Sequence, residues 1–339
     1  KKKTIITEKL RLISSDDLSA IPIPTKALEV DVTGQYKDFV SITKFHENFR
    51  LVGGLNMPKL VAIVGSDGRD YKQLVKSSDD LRQDAVMQQI FLLVNALLDK
   101  KQATRSRNLS IRTYKVVPLT ESSGLLEWVE NTTSIGSYLV GDKRGNVRGA
   151  HQRYRPGDWE HSTCRERMSA ARKTDVFAEY RRVSENFKPV FHHFFLEKFP
   201  NLADWYRNRL RYCRSLACNS MVGYTVGLGD RHTENILIDR RTCELIHIDL
   251  GIAFEQGKTL MIPEVVPFRL TRDMVDGMGI LGVEGPFRSC CEETMKVLRE
   301  HYDYVLTIVE VFVHDPLFCW IPAAALKAQR AELETDDVL

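Results

Sequence analysis

Residues 227–251, GLGDRHTENILIDRRTCELIHIDLG, contain two short β-prone runs joined by a polar segment. The first run, 236–238, begins directly after Asn235, and the second run, 245–248, ends at Asp249. Two β-prone runs separated by a short polar segment predict a β-hairpin. Because a hairpin brings its two outer ends together, we expect Asn235 and Asp249 to lie close in space.

An aspartate precedes this hairpin at a fixed distance, since Asp230 stands five residues before Asn235. Kinase catalytic loops contain an Asp, an Asn five residues later, and a second Asp, in an Asp-X-Gly sequence, at the end of a following strand. There the Asn and the second Asp hold Mg²⁺, and the first Asp orients or deprotonates the attacking hydroxyl. The spacing therefore predicts phosphoryl transfer from ATP, with Asp230 as the catalytic residue and with Asn235 and Asp249 as ligands of Mg²⁺, or of Mn²⁺ in its place.

The two residues after Asp230 are Arg231 and His232, whereas in the kinase catalytic loop described above His and Arg precede the Asp. Histidine side chains titrate near working pH, so His232 is a second catalytic candidate that donates to the transferring phosphate or holds Asp230. A purely structural histidine is the alternative. Arg231 is expected to tie the loop to its neighbours. On the second strand, His247 is expected to share a face with Asp249, because the two are two residues apart.

Bulk composition excludes several classes of protein. The chain has 339 residues, 43% hydrophobic and 27% charged, which is ordinary for a globular protein with room for two lobes. A net charge of +3 is too small to indicate nucleic-acid or membrane binding. The seven cysteines form no Cys-X-X-Cys pair, so we expect a reducing compartment. Apolar runs fall short of the roughly 20 residues of a membrane helix.

A second group of candidate residues lies upstream. A predicted strand ends in Lys76, and a predicted helix begins in the acidic stretch 79–84. A strand lysine followed by a helix that bears acidic residues is the kinase arrangement in which the lysine contacts phosphates and an acid fixes its position. We therefore expect Lys76 to pair with Asp84, or with Asp79.

The adenine ring of a nucleotide needs apolar walls and one or two backbone hydrogen bonds. Residues 112–119 read as a strand that leads toward residues 124–129. Tyr114, Leu126 and Trp128 are the predicted walls. The backbone from Glu127 to Val129 is the predicted polar edge.

The remaining chain gives a coarser set of expectations. Strands are predicted at 28–32, 39–42, 49–52 and 60–64, and helices at about 205–221 and 291–313. Residues 1–26 lack a clear periodicity and are interpreted as an approach segment whose packing partner lies elsewhere. The arginines of 141–215 alternate with acidic and apolar residues, so we expect solvated helix faces there and no direct nucleic-acid site.

Asp-Arg-His-X-X-Asn together with His-Ile-Asp-Leu-Gly resembles the catalytic motifs of the phosphatidylinositol-kinase-related protein kinases and of their lipid-kinase relatives. The chain is most similar to the ataxia-telangiectasia mutated (ATM) branch of that family, including its fungal members. The similarity extends over about 29–326 and is carried by these further stretches: 74–76, 80–84, 124–129, 254–258, 267–273 and 276–285.

This resemblance implies a bilobal α+β fold with a mixed-sheet N-lobe and a mainly helical C-lobe. The lobes are expected at 27–127 and 128–330, with 1–26 leading in from an upstream region and 331–339 as a linker toward a C-terminal segment. The resemblance also implies a nuclear serine/threonine kinase that prefers Ser or Thr followed by Gln and acts in DNA double-strand-break signalling. Its implied partners are such protein substrates, a break-sensor complex, and a second copy of itself bound mostly outside this chain.

A phosphoinositide kinase is the main alternative, because both kinds of kinase share the catalytic loop. An inositol headgroup carries several negative charges and calls for clustered Lys and Arg. Residues 252–266, at the position of the activation segment, contain only Lys258 against Glu255 and Glu264, a net charge of −1. This sign favours a protein substrate and no membrane partner. Another branch of the same family and a nucleotide-binding scaffold without turnover also stay open.

Overall fold

The computed structural model describes residues 7–9, 21–28, 31–36, 38–53, 57–141, 147–171, 175–260 and 262–314. Two compact units divide the chain: Lys1–Leu92 with Thr113–Glu130, and Leu93–Arg112 with Asn131–Leu339. The boundary at 130/131 lies close to the predicted lobe boundary, whereas residues 93–112, expected in the first lobe, belong to the second unit. The predicted domain limits themselves stay a prediction.

The first unit is built on an antiparallel sheet. Its strands are β1 (Thr7–Lys9), β2 (Ile42–Phe45), β3 (Asn48–Leu51), β4 (Lys59–Gly65), β5 (Asp70–Ser77), β6 (Val116–Thr120) and β7 (Ser123–Glu127). Within the described residues their order is β1-β3-β4-β5-β7-β6, and β2 also pairs with β4. Helix α1 (Arg82–Lys100) follows β5, and only its first half belongs to this unit.

The described residues of the N-terminal segment pack within the first unit, which corrects the interpretation of 1–26 as an approach segment without a partner. Ile23 is 1% exposed and lies in one apolar cluster with Ile42 and Ile63. The Ile23 N–H also donates to the Val40 carbonyl at 3.1 Å, and β1 pairs with β3. The lack of periodicity reflects single anchoring residues and one strand of three residues, which is too short to show a pattern.

Two of the four predicted strands in this region are confirmed, since β3 and β4 match 49–52 and 60–64 within two residues. The strand predicted at 39–42 begins later, as β2 at Ile42. The strand predicted at 28–32 is wrong for its described residues, because Asp31 opens a turn. The Gly34 N–H donates to the Asp31 carbonyl at 3.0 Å, and the Thr33 N–H donates to the Asp31 carboxylate. An Asp side chain that binds backbone N–H groups favours a turn over a strand.

Gly124 in β7 leaves no room for a side chain, which predicts a large effect of a single methyl group. An added Cβ would lie 2.6 Å from the Val117 carbonyl oxygen and 2.8 Å from Leu81. Because backbone cannot move aside as a flexible side chain can, Gly124→Ala is expected to lower the free energy of unfolding by about 1–3 kcal/mol. Gly53→Ala is the matched control, since a Cβ there meets nothing within 4 Å. Equal chemical denaturation midpoints for the two variants would contradict this prediction.

The second unit is mainly helical. Its helices are α2 (Gln102–Arg105), α3 (Ile135–Val140), α4 (Ala150–Tyr154), α5 (His161–Ala170), α6 (Val176–Asn186), α7 (His192–Lys198), α8 (Leu202–Thr225), α9 (Arg272–Gly277), α10 (Pro286–Glu300) and α11 (Tyr302–Val313). A small antiparallel sheet has the order β10-β9-β8 and consists of β8 (Thr132–Ser134), β9 (Ile236–Asp239) and β10 (Leu245–His247). A mixed fold of sheet and helices confirms the predicted α+β class.

Helix α8 supports the hairpin predicted at 227–251. The Asn201 side chain caps its first turn by accepting from the Ala203 and Asp204 N–H groups. From inside the helix, the Ser215 hydroxyl accepts the Leu245 N–H at 2.9 Å and so fixes β10. The helix ends two residues before Gly227, whose φ of 59° turns the chain into the loop that carries Asp230.

The helix predicted at 291–313 is wrong in its extent, because the structure has two helices there. Helix α10 begins earlier, at Pro286, whose fixed φ suits a first turn. At His301 (φ −130°, ψ 31°) the backbone leaves helical geometry, and α11 follows.

Residues 277–282 fit Gly-X-Gly-X-X-Gly but follow a helix instead of a strand, so they are not a dinucleotide-binding turn. In the described part of the chain, no helix has the length and apolar character to span a bilayer.

Candidate active site

The hairpin brings together the two ends that the sequence predicted. Strands β9 and β10 pair with His247 opposite Ile236. One step further along, the Ile248 N–H donates to the Asn235 carbonyl at 3.0 Å. Asn235 and Asp249 are therefore neighbours at the open end of the hairpin, as predicted.

The loop from Asp230 to Asn235 is closed on itself. The Asn235 side-chain amide donates to the Asp230 carbonyl at 3.0 Å and to its carboxylate at 3.3 Å. The Asn235 backbone N–H donates to the His232 carbonyl at 2.9 Å. Asn235 is 6% exposed. With its nitrogen engaged in this way, Asn235 has its side-chain oxygen to offer to a cation.

Both carboxylates sit on left-handed backbone, which sequence reasoning did not anticipate. Asp230 has a φ of 55° and Asp249 a φ of 58°. Non-glycine residues rarely adopt this region, and Asp and Asn tolerate it best. Such strained positions cluster at functional sites, where the surrounding structure holds them.

Arg231 provides that restraint, as predicted for it. The side chain is 5% exposed, and its guanidinium donates to the carbonyl oxygens of Gly229 and Ile248 at 2.8 Å each and to that of Asp249. One buried group thus fixes the backbone on both sides, so that the Asp230 loop and the Asp249 turn keep a constant relation.

Glu264 contacts the catalytic loop directly, although the sequence showed it only as a negative charge of the activation segment. The Asp230 N–H donates to its two carboxylate oxygens at 3.0 and 3.1 Å. Gly229 and Gly257 make room for this carboxylate, because a Cβ on either residue would collide with it. A lone acid in an apolar stretch was the available signal, and its partner lies 34 residues away.

The two histidines of the motifs differ in environment. The His232 Nε2 lies 3.9 Å from the Asp230 carboxylate, beyond hydrogen-bond distance, and the ring is half-exposed. The predicted catalytic role of His232 stays a prediction. His247 is buried, and burial together with the nearby Arg231 lowers its pKa to about 3. It is therefore neutral near neutral pH. The predicted common face is not observed, because Asp249 is exposed where His247 is buried.

Glu234 was missed by sequence reasoning and attaches the catalytic loop to helix α3. Its carboxylate accepts the hydroxyls of Ser134 and Ser137. Ser134 is also the N-cap of α3, since its hydroxyl accepts the Ser137 N–H at 3.0 Å. Next to it, the Gly136 N–H donates to the Thr233 carbonyl at 3.0 Å. A carboxylate at a helix N-terminus is favourable, and this one also anchors the middle of the loop.

We therefore expect Glu234→Ala to lower kcat by roughly 5–30-fold, because a loss of about 1–2 kcal/mol in loop positioning has that effect on a rate. Glu234→Gln keeps an acceptor oxygen for the two hydroxyls and is expected to stay within about threefold of wild type. Steady-state phosphoryl transfer measures both variants. Equal kcat values for the Ala and Gln variants would show that these hydrogen bonds do not position the loop.

In the first unit, Lys76 has the predicted kind of partner. Its ammonium donates to the Asp79 carboxylate at 2.9 Å, and its side chain is 14% exposed. The pairing places Leu74 opposite Leu126 and Lys76 opposite Gly124, so Lys76 and Leu126 share one face of the sheet. Asp84, the other predicted partner, is buried in the first turn of α1.

The predicted adenine-binding residues are also in the first unit. Tyr114, Glu127 and Trp128 line a cavity of about 460 Å³. Two of the three backbone N–H groups in this stretch are already bonded within the protein. The Glu127 N–H donates to the Lys115 carbonyl at 2.8 Å, and the Trp128 N–H donates to the Lys72 carbonyl at 3.0 Å. These two N–H groups are therefore not available to a nucleotide, and the role of the backbone from Glu127 to Val129 as a polar edge stays a prediction.

The donor set of the second unit fits Mg²⁺. Among the described residues, no group of three His, Cys, Asp or Glu side chains is placed to hold a metal alone. Mg²⁺ is usually bound through one or two protein oxygens together with substrate phosphates. Asn235 and Asp249 supply one amide and one carboxylate, so they suit a cation that arrives with a nucleotide.

Comparisons with known proteins agree with this geometry. The chain is 53% identical over 319 residues to serine-protein kinase ATM of Sus scrofa, covering 93% of this chain and 10% of that protein. Identity to serine/threonine-protein kinase ATM of Arabidopsis thaliana is 51% over 340 residues, which cover 99% of this chain and 9% of that protein. Identity to serine/threonine-protein kinase tel1 of Schizosaccharomyces pombe is 46% over 320 residues, which cover 93% of this chain and 11% of that protein. The chain spans about a tenth of the length of these curated relatives.

A solved structure, the FAT and kinase domain of CtTel1, has a TM-score of 0.85 and 44% identity to this chain. The superposition covers 99% of this chain and 24% of that one. These likenesses confirm the resemblance to the ATM branch. The family described as phosphatidylinositol 3- and 4-kinase matches residues 70–321, a stretch that contains Lys76, Asp230, Asn235 and Asp249. Because this match covers most of the sequence, the chain belongs to the phosphatidylinositol 3- and 4-kinase family.

Proposed function

We propose that this chain is the catalytic part of a serine/threonine protein kinase that uses ATP and Mg²⁺. The observation that supports this most strongly is the convergence of Asp230, Asn235 and Asp249 at one end of the hairpin. Relatives of high identity that are named serine/threonine-protein kinases favour this activity over lipid phosphorylation.

Each residue has a role in the proposed reaction. Asp230 accepts the proton of the substrate hydroxyl, and His232 holds its carboxylate. Asn235 and Asp249 hold Mg²⁺ through their side-chain oxygens. Lys76, positioned by Asp79, contacts the phosphates, and the backbone at Val129 and the side chains of Tyr114, Leu126 and Trp128 receive the adenine. Bound ATP–Mg²⁺ supplies the phosphoryl group and the positive charge that stabilises its transfer.

A protein substrate is also supported by charge. The one lysine of residues 252–266 is already paired, since the Lys258 ammonium lies 2.8 Å from the Glu255 carboxylate. Glu264 adds a carboxylate at the catalytic loop. The net negative charge of this segment would repel a polyanionic headgroup. A Ser or Thr side chain followed by Gln is uncharged and would not be repelled. The charge therefore supports a protein substrate, and we propose Ser/Thr-Gln sites because the resemblance to the ATM branch implies that preference.

The cellular role is implied by the resemblance to the ATM branch and belongs to the same proposal. We place the protein in the nucleus, in DNA double-strand-break signalling with a break-sensor complex as partner. Two solved relatives are described as a complete CtTel1 dimer with C2 symmetry and as a Tel1 kinase butterfly symmetric dimer. A homodimer formed mostly outside this chain is proposed by analogy with them.

The test is radiolabelled phosphate transfer by the full-length protein to three acceptors. These are a Ser-Gln peptide, the same peptide with Ser-Ala, and phosphoinositide vesicles. Transfer mainly to the Ser-Gln peptide, absent in an Asp230→Asn control, is the expected result. Transfer to vesicles and not to peptide would overturn the proposal, and transfer to neither peptide nor vesicle would favour a scaffold without turnover.

A further inference from the structure

A cavity of about 490 Å³ in the second unit lies away from the catalytic residues. It is lined by Thr133, Ser137, Tyr138, Val147, Arg148, Arg153, Phe194, Glu197, Lys198 and Arg240. Arg240 directly follows β9 at the closed end of the hairpin, whereas Asn235 directly precedes β9 at the open end. Five extended residues span about 16 Å, so Arg240 lies well apart from Asn235. Ser137, also in the lining, bonds Glu234 of the catalytic loop, but no proposed catalytic or Mg²⁺-binding residue lines the cavity.

The only carboxylate among these lining residues, Glu197, is already satisfied. It accepts the Arg153 guanidinium at 2.6 Å, the Tyr138 hydroxyl at 3.2 Å and the Tyr154 hydroxyl. Burial and the Glu197 charge raise the pKa of Tyr138, so its hydroxyl stays protonated as a donor. Glu197 and Arg153 therefore neutralise each other.

Three other cations around the cavity have no compensating carboxylate among the described residues. Arg148, Lys198 and Arg240 form no ion pair with any residue in the part of the chain that the structure describes. Four cationic side chains against one carboxylate give the lining a formal charge of +3. Like charges gathered in a concave site repel one another and attract a counter-ion of opposite sign.

The wall between these cations is ordered. The Arg153 guanidinium lies over the rings of Tyr138 and Tyr154, with its central carbon 5.4 and 5.3 Å from their centroids. Tyr138 in turn meets Phe194 edge to face, at a centroid distance of 5.0 Å. This stacked wall presents the cations around a preformed space, which reduces the ordering cost of binding.

We propose that this cavity binds a small anion that carries two linked phosphate groups. A diphosphate has a charge close to −3 and matches the uncompensated charge of the lining. Arginine forks bind phosphate oxygens in pairs, and a lysine adds a point charge. The volume lies within the usual range of small-ligand pockets. The proposal does not rest on the kinase reaction.

The test is binding of pyrophosphate to the full-length protein, measured by calorimetry at low salt with divalent cations chelated. All proteins carry Lys76→Ala, which weakens the proposed nucleotide site. We expect pyrophosphate to bind at least tenfold more tightly than orthophosphate, and Arg148→Glu or Arg240→Glu to weaken it at least tenfold. The matched control is Arg241→Glu, the exposed next residue, which does not line the cavity.

Thermal melts first establish that the charge-reversal variants are folded as the control is. The proposal is overturned if pyrophosphate does not bind, if Arg148→Glu and Arg240→Glu bind it as the parent does, or if Arg241→Glu weakens it equally. Orthophosphate binding as tightly as pyrophosphate would also overturn it, because the site would then hold a single phosphate.

Discussion

An Asp249→Asn variant is expected to lose phosphoryl transfer by on the order of 10²–10³-fold in kcat, with its fold unchanged, because it removes a charge that acts on the transition state. Asp249 is exposed and lies two residues beyond the end of β10, beside Asn235. Its φ of 58° is a conformation that Asn adopts as readily as Asp. The substitution therefore changes the charge at the proposed Mg²⁺ position and almost nothing of the shape.

The measurement is kcat for a Ser-Gln peptide at saturating ATP and over a range of Mg²⁺ concentrations. Asp99→Asn, an exposed aspartate of α1, is the control for a general effect of charge. Asp249→Ala is less informative, because alanine adds strain in left-handed backbone and confuses lost ligation with lost structure. A variant Asp249→Asn that retains more than about a tenth of wild-type kcat, with the same Mg²⁺ dependence, would exclude Asp249 as a metal ligand.

The convergence of Asn235 and Asp249 was predictable because its determinants are local. β-Prone runs on both sides of a polar turn specify a hairpin, and hairpin pairing fixes which residues are opposite. For the same reason the pairing of Lys76 with an acid just after its strand could be predicted, since Asp79 lies three residues away. In both cases the residues that meet are close to each other in the sequence.

The parts that could not be predicted depend on distant partners. Glu264 accepts the Asp230 N–H from a position 34 residues away in the sequence. Ile23 packs on Ile42 and Ile63, and no periodic pattern in the sequence indicates this contact. The left-handed backbone at Asp230 and Asp249 leaves no mark on the sequence, because aspartate is equally common in ordinary turns. The hydrogen bonds that engage the Glu127 and Trp128 N–H groups could likewise not be predicted, because they depend on the strand register.

These observations explain why a strained pair of aspartates persists. Each left-handed residue costs on the order of 1 kcal/mol or more, and only over-determined surroundings hold it in place. Asp230 is restrained from one side by Glu264 and from the other by Asn235. The Asp249 carbonyl is held by Arg231, which also binds the carbonyl of Gly229 directly before Asp230. Arg231 is therefore the residue on which the relation between the two carboxylates depends most.

Arg231→Lys is accordingly expected to lower the free energy of unfolding by roughly 2–4 kcal/mol, because a lysine ammonium cannot reach three carbonyls at once and leaves buried acceptors unpaired. Transfer by the folded fraction is expected to fall by at least tenfold, since Asp230 and Asp249 lose their common anchor. Urea denaturation and kcat at low temperature measure the two effects separately. Arg241→Lys, an exposed change in the same hairpin, is the control. If the charge of Arg231 alone mattered, lysine would preserve both quantities, and that outcome would refute the role assigned here to its three hydrogen bonds.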